Sequence, residues 1–167
     1  MGNRSERSRT VEKEFPKRPP RLTWRFSEVT PFYFVTCNTH DRIPVLANYA
    51  VHESFLGFCE KAREYDIAVG RYVLMPDHIH LFVMLPADGM SLSRWVQSLR
   101  AVIGKRLLAL GIGKPHWQAG FFDHVLRSAE SYSAKWEYVR QNPVRAGLCE
   151  DPDGWPFSGE VIPIEFR

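Results

Sequence analysis

Four runs of apolar, aromatic and β-branched residues along the chain predict β-strands. The first is FYFVT, and the second and third, IAVGRYVLM and HIHLFVML, are separated only by Pro76 and Asp77. So tight a junction favours two adjacent antiparallel strands that turn at the proline. The fourth run is FFDHVLR. We therefore predict strands at residues 32–36, 67–75, 78–85 and 121–127.

Three further segments have apolar residues at the spacing of an amphipathic helix. The first covers residues 50–64. The second begins near Ser91, with apolar residues at positions 92, 95, 96, 99, 102, 103, 107 and 110. Ser91 or Ser93 is the expected cap of this helix. The third helix is predicted at residues 128–141.

The order β-α-β-β-α-β-α predicts an α+β fold, the ferredoxin-like or split β-α-β sandwich. In this fold a four-stranded antiparallel sheet carries two helices on one face. We expect the third helix on the other face. This architecture serves RNA binders, metal chaperones and nucleases alike, so it does not define the function.

His78 and His80 lie two residues apart in the third predicted strand, so their imidazoles project from the same face of the sheet. Two neighbouring imidazoles buried without polar partners would be costly. We therefore expect a polar, charged or metallic group above them.

Tyr138 and Asn142 stand four residues apart near the end of the third helix, so they share one of its faces. Pro143 disfavours helix at Asn142, which is then placed to cap the next turn. If this helix covers the open sheet face, all four polar side chains meet there. Two imidazoles and an amide oxygen form an incomplete shell for a divalent ion, and a phenol beside that ion is a usable nucleophile.

Length, cysteine content and charge change this interpretation little. The 167 residues suffice for one core. No apolar run approaches the about 20 residues of a membrane-spanning helix, and the N-terminus lacks the apolar part of a secretory signal. Three scattered cysteines fit a reducing compartment, so we predict a cytoplasmic protein.

The first 21 residues are strongly basic. They hold seven basic and three acidic residues, a net charge of +4, while the rest of the chain carries −1. We predict a basic flexible arm at residues 1–21 and a single domain at residues 22–167. The arm is either a solvated tail or a segment that follows a phosphate backbone.

The segments MPDHIHLFV (residues 75–83) and YVRQNPVRAGL (residues 138–148) resemble the HUH single-tyrosine, or IS200-like, transposases. They are similar in particular to the REP-associated tyrosine transposases of bacteria. The segments FYFVTCNTHDRIPVL, WQAGFFDHVLR and WPFS are also similar to that family, so the resemblance extends from about residue 32 to residue 158. Related insertion-sequence transposases usually carry glutamine at the position of Asn142, which favours the REP-associated branch.

The resemblance implies that His78, His80 and Asn142 hold Mg²⁺ or Mn²⁺ and that Tyr138 attacks DNA and takes a 5′-phosphate. It implies a metal-dependent DNA transposase, a strand transferase that cleaves and rejoins single-stranded or hairpin DNA through a 5′-phosphotyrosine intermediate. The implied substrates are palindromic repeats, read partly through a short single-stranded flank. Whether the protein is a monomer or a homodimer, and whether Tyr138 acts in its own chain, is left open.

Two other functions stay open on the sequence. A non-catalytic, domesticated hairpin-binding protein would stack bases on the sheet face and would expose aromatic residues on the middle strands. A metal-dependent nuclease would use water as its nucleophile and leave Tyr138 a structural role. A covalent DNA adduct distinguishes the transposase from both.

Basic residues near these segments and on the second helix are predicted to contact DNA. They are Arg140 and Arg145 beside the tyrosine, Arg94 and Lys105 along the second helix, and Arg18 and Arg21 in the arm.

Other side chains near the two segments have a structural prediction and a functional alternative. Asp77 is predicted to be a turn residue, with a hydrogen bond to a ligating histidine as the alternative. Trp117, Phe121 and Phe122 are predicted to lie in the core, with base stacking as the alternative.

Overall fold

The computed structural model describes residues 24–25 and 30–165. The predicted arm at residues 1–21, with Arg18 and Arg21, lies outside the described residues. The strands are β1 (Trp24–Arg25), β2 (Phe32–Asn38), β3 (Ala68–Leu74), β4 (His78–Met84), β5 (Phe122–Leu126), β6 (Ser158–Glu160) and β7 (Ile164–Glu165). The helices are α1 (Tyr49–Lys61), α2 (Leu92–Ala109), α3 (Ala129–Arg140) and α4 (Asn142–Arg145).

The main sheet has five strands in the order β5-β2-β4-β3-β6, and every neighbouring pair is antiparallel. Its first four members have the strand order of the split β-α-β sandwich, so the predicted fold class is confirmed. The predicted count of four strands is wrong, because β6 extends the sheet beside β3. β1 and β7 form a separate parallel pair.

The extra strand is short and carries little sequence signal. Ser158–Glu160 contains no aromatic or β-branched residue, so the apolar pattern does not predict a strand there. Its neighbours hold it in place. Phe157 is buried just before it, and a Cβ at Gly159 would lie 3.0 Å from the hydroxyl oxygen of Tyr72 on β3. Glycine therefore favours the close approach of β6 to β3.

Alternate side chains of β4 enter two different cores. Leu81 and Val83 pack in one core with residues of α1 and α2, whereas Phe82 packs in another with residues of α3. The sheet thus has α1 and α2 on one face and α3 on the other, as predicted. His78 and His80 have the same parity as Phe82, so they lie on the face of α3.

α3 crosses its face of the sheet diagonally. Tyr132, in its first half, shares a core with Leu126 at the end of β5, and Val139, near its end, shares one with Val73 on β3. The helix begins after Ser128, whose Oγ accepts a hydrogen bond from the Ser131 amide at 3.1 Å. The start of β5 is left outside the area that α3 covers.

This path of α3 overturns one core prediction. Phe121 packs beside the core formed with α1 and α2, as predicted. Phe122 is 66% exposed, so its assignment to the core is wrong. Successive strand residues point to opposite faces, and none of the helices in the described part of the chain lies above Phe122 on its own face.

The helix ends agree closely with the sequence pattern. Ser91, rather than Ser93, caps α2, because its Oγ accepts a hydrogen bond from the amide of Arg94 at 3.4 Å. α1 ends at Lys61 and continues as a 3-10 turn over residues 62–65. None of the helices within the described residues combines the length and the apolar character that a bilayer crossing requires.

Candidate active site

The two histidines lie side by side on the face that α3 crosses. The ring centroids of His78 and His80 are 4.6 Å apart, and their planes meet at 80°. Both residues are partly exposed. The pair is therefore positioned by the rigid centre of the sheet and remains reachable from solvent.

A series of polar side chains supports His78. Its Nδ1 lies 2.7 Å from Oδ1 of Asp77, and Oδ2 of Asp77 lies 2.7 Å from Nε of Arg42. Arg42 also donates to Oδ1 of Asn38 at 2.7 Å. Nη2 of Arg42 is farther from the His78 Nδ1, at 3.3 Å. The shorter carboxylate contact therefore keeps the ring proton on Nδ1 and leaves the lone pair of Nε2 free.

Asp77 is ionised, as an acceptor for the Nδ1 proton of His78 should be. Partial burial raises the pKa of its carboxyl, but the hydrogen bond with His78 and the positive charges of protonated His78 and of Arg42 more than offset burial. The pKa of Asp77 consequently lies below its ordinary value. Asp77 is a turn residue, as predicted, and it also makes the hydrogen bond that the alternative required.

The loop that carries Arg42 is tied to the turn that carries Asp77. The amide and the Oγ1 of Thr39 both donate to the backbone oxygen of Asp77 at 2.9 Å. The amide of Leu46 donates to the backbone oxygen of Pro76 at 2.8 Å. Asp41 and Arg42 adopt left-handed backbone conformations, with φ of 49° and 57°. Such conformations cost about 1 kcal/mol or more each and persist where surrounding contacts impose them.

His80 has a different partner. Its Nδ1 lies 2.8 Å from Oγ1 of Thr36, and its ring stacks on that of Phe34 at a centroid distance of 5.3 Å. Burial, reinforced by neighbouring positive charges, lowers the pKa of His80 to about 3. Burial also lowers the pKa of His78. Both imidazoles are therefore neutral at neutral pH, and among the described residues neither Nε2 atom takes part in a hydrogen bond.

Tyr138 and Asn142 lie on either side of the single residue that separates α3 from α4. Gln141 separates the two helices, keeps a helical conformation (φ −79°, ψ −6°) and is the N-cap of α4. The prediction that Asn142 is the cap is wrong, because the helical conformation continues through Gln141 and Asn142 becomes the first residue of α4. Pro143 follows, where its missing amide hydrogen costs nothing.

Arg145 joins the tyrosine to the asparagine. Its guanidinium carbon lies 4.3 Å from the centroid of the Tyr138 ring. Its Nη2 donates to the backbone oxygen of Tyr138 at 2.7 Å and to Oδ1 of Asn142. The Tyr138 residue is 64% exposed, so its phenol is accessible to a large partner. The positive charge of Arg145 lies beside the ring.

Two observations place the end of α3 near the end of the sheet that carries the imidazoles. Val139 packs with Val73, and Val73 is the partner of His80 in the β3–β4 register. The positive charges of Lys135 and Arg145 contribute to the low pKa of His80. The end of α3 therefore lies on the sheet face that carries the imidazoles, and the meeting of Tyr138 and Asn142 with the two histidines stays a prediction.

The other basic residues predicted to contact DNA are placed differently. The guanidinium of Arg140 forms ion pairs with the carboxylates of Asp153, at 2.7 Å, and Glu137, at 3.5 Å. Arg94 and Lys105 are exposed on α2, which lies on the opposite face of the sheet from the imidazoles. Their contacts with DNA stay predictions.

The sequence profile of the family described as "Transposase IS200 like" matches residues 32–142, more than half of the chain. The chain therefore belongs to the IS200-like transposase family, whose members are DNA-processing enzymes.

Individual relatives agree with this assignment. The chain is 28% identical over 127 residues to the REP-associated tyrosine transposase of Escherichia coli (strain K12), an alignment that covers 75% of this chain and 74% of that protein. Its fold is similar to that of a REP-associated tyrosine transposase solved bound to a REP hairpin, with a TM-score of 0.60 and 23% identity over 87% of this chain and 82% of the other. The resemblance seen in the sequence is confirmed.

Proposed function

We propose that the protein is a metal-dependent DNA transposase that cleaves and rejoins single-stranded or hairpin DNA through a 5′-phosphotyrosine intermediate. The observation that carries the proposal is the imidazole pair, whose ring centroids lie 4.6 Å apart on the sheet face crossed by the helix of an exposed tyrosine, and whose pKa values are lowered by burial. Their Nδ1 atoms contact a carboxylate and a hydroxyl, and metal-ligating histidines commonly have such partners.

His78, His80 and Asn142 are the residues that would hold Mg²⁺ or Mn²⁺. Two imidazole nitrogens and an amide oxygen are chemically compatible with either ion and leave positions for phosphate oxygens and water. Oδ1 of Asn142 accepts from Arg145 and keeps a second lone pair. Among the described residues no three His, Cys, Asp or Glu side chains form a metal-binding group. When bound, the ion would polarise the scissile phosphate and stabilise charge on the leaving 3′-oxygen.

The phenol of Tyr138 is the proposed nucleophile. Its oxygen loses its proton and forms a bond to phosphorus while the bond from phosphorus to the 3′-oxygen breaks. The leaving 3′-oxygen takes up a proton, so the products are a 5′-phosphotyrosine and a free 3′-hydroxyl. One phosphodiester replaces another, so a 3′-hydroxyl can reverse the reaction and rejoin the strand without ATP. The guanidinium of Arg145 on the Tyr138 ring stabilises negative charge on the phosphate beside the attacking oxygen.

Hairpins formed by palindromic repeats are the proposed substrates. The support is the family assignment and the similar fold of a relative bound to a REP hairpin. Lys135 and Arg145, on the face of the imidazole pair, supply positive charge for the phosphate backbone.

The proposal is tested by incubating the wild-type protein with repeat hairpins that carry a single-stranded flank, in Mg²⁺ or Mn²⁺. We expect a cleaved strand and a covalent protein–DNA species on denaturing gels, and we expect excess EDTA to abolish both. Cleavage without a covalent species would favour the nuclease that uses water. Binding without cleavage would favour the domesticated hairpin-binding protein.

Asp77→Asn is expected to weaken divalent-ion binding roughly tenfold or more, the usual effect of losing a partner of a ligating histidine. An asparagine can turn its amide to donate to Nδ1 of His78. The ring proton would then sit on Nε2, the atom proposed to bind the ion. Binding of Mn²⁺, followed by electron paramagnetic resonance in the absence of DNA, measures the effect directly.

The matched control is Glu160→Gln. It neutralises another carboxylate of the same sheet that forms an ion pair with an arginine, since Oε1 of Glu160 lies 3.2 Å from Nε of Arg71. This variant is expected to bind Mn²⁺ as the wild type does. Equal Mn²⁺ affinity in the Asp77→Asn variant would show that Asp77 acts only in the turn.

A further inference from the structure

Phe122 combines high exposure with a fixed place beside the imidazole pair. It is the first residue of β5 and is 66% exposed. β5 is the outer strand of the main sheet, next to β2. A large apolar side chain on a strand that faces solvent beside a polar site contributes little to folding. Its position leaves the ring available to a partner.

The strand register fixes the side of the sheet on which Phe122 lies. Thr36 on β2 is directly opposite Phe122 on one side and His80 on the other. Directly opposite residues in an antiparallel pair project from the same face. The hydrogen bond between Thr36 Oγ1 and His80 Nδ1 shows that the Thr36 side chain lies on the face of His80. Phe122, Thr36 and His80 thus form one row. Two strand spacings, roughly 10 Å, separate its ends.

Among the described residues, no helix covers the Phe122 end of this row, and Lys135 places a positive charge nearby. α3 leaves the start of β5 uncovered as it passes from Leu126 to Val73. Lys135 on α3 lies with its Nζ 5.3 Å from the centroid of the Phe34 ring, which stacks on His80. A DNA strand whose phosphates contact Lys135 would therefore pass close to this row.

The backbone before Phe122 is held in place without any ligand. The amide of Gln118 donates to the backbone oxygen of Asn38 at 3.0 Å, and the Asn38 side chain donates back to Oε1 of Gln118 at 3.3 Å. Arg100 donates to the backbone oxygen of Gly120. These contacts tie the segment to the end of β2 and to α2, so the ring is presented from a fixed backbone.

We propose that Phe122 is a stacking platform for an unpaired base of the DNA substrate, close to the phosphate that is cleaved. This inference rests on the proposed function for the identity of the ligand. An exposed aromatic ring offers a π-face to any base, and the positive charge of Lys135 suits the phosphates of a single strand. Phe122 would bind substrate and take no part in the chemical step.

Binding of fluorescently labelled oligothymidylate tests this inference without requiring cleavage, because stacking is tolerant of base identity. Phe122→Ala is expected to weaken binding by about tenfold, and Phe122→Trp to retain it. Phe122→Leu, which keeps apolar volume but removes the ring, should behave like the alanine variant. The dependence of affinity on salt should stay the same, since no phosphate contact is lost.

Tyr65→Ala is the matched control, since Tyr65 is a similarly exposed aromatic residue (64%) in the turn after α1. It should bind as the wild type does. Wild-type affinity in Phe122→Ala, or full rescue by leucine, would overturn the inference. Neither result would bear on the adduct at Tyr138, so the proposed function and the stacking site can fail separately.

Discussion

Tyr138→Phe is expected to abolish the covalent protein–DNA species and to slow strand cleavage by about three orders of magnitude or more. Phenylalanine lacks the oxygen that attacks phosphorus but keeps the aromatic ring on which Arg145 stacks. Because Tyr138 is largely exposed, stability should change by no more than about 0.5 kcal/mol. Cleavage is measured on denaturing gels, and hairpin affinity by fluorescence anisotropy.

The affinity of Tyr138→Phe for the hairpin should remain within a few fold of the wild type, which separates loss of chemistry from loss of binding. Tyr65→Phe, the same substitution at another exposed tyrosine, serves as the control and should cleave normally. If Tyr138→Phe cleaved at the wild-type rate, the nucleophile would be water or another side chain.

His80→Ala is expected to reduce the affinity for Mn²⁺ by about a hundredfold or more, because loss of a ligand should exceed the effect of losing one of its supporting partners. Cleavage should fall below detection at Mg²⁺ concentrations that saturate the wild type. His78→Ala should do the same. Calorimetric titration with Mn²⁺ measures the first effect, and thermal unfolding without metal reports whether the variants fold.

His52→Ala provides the comparison for loss of an imidazole elsewhere. His52 lies on α1, where its Nε2 contacts the Tyr72 hydroxyl at 2.8 Å, on the opposite side of the sheet from the proposed ion. Mn²⁺ affinity should be unchanged in this variant, whatever happens to its stability. Cleavage by folded His80→Ala protein at the wild-type rate would contradict a metal role for the pair.

The strands and helices that build the site follow from local patterns in the sequence. Alternation along β4 suffices to put His78 and His80 on one face, since strand geometry has a period of two. The helical spacing of α1 and α2 is long and regular enough to show which face is apolar. The fold class follows from the order of these elements.

Features that depend on contacts between distant segments could not be read in this way. β6 is held by Phe157 and by the glycine that lies against Tyr72, neither of which produces a strand pattern. Arg42 reaches Asp77 only because residues 39–46 fold back onto the turn before β4. A single arginine in a loop carries no periodicity that would indicate this.

The exposure of Phe122 has the same origin. The composition of FFDHVLR indicates a buried strand, and burial would follow if a helix covered both faces. The diagonal path of α3 leaves one corner open, and that path is set by the packing of Tyr132 and Val139 rather than by any feature of β5.

The central claim, that Tyr138 forms a covalent bond to a 5′-phosphate, is tested most directly by mass spectrometry. Wild-type protein is reacted with a repeat hairpin in Mg²⁺, treated with nuclease and digested with trypsin. We predict a nucleotide-bearing peptide whose fragmentation places the phosphate on Tyr138, absent from the Tyr138→Phe variant. A cleaved hairpin with an unmodified Tyr138 peptide, or with the nucleotide on another residue, would contradict the account.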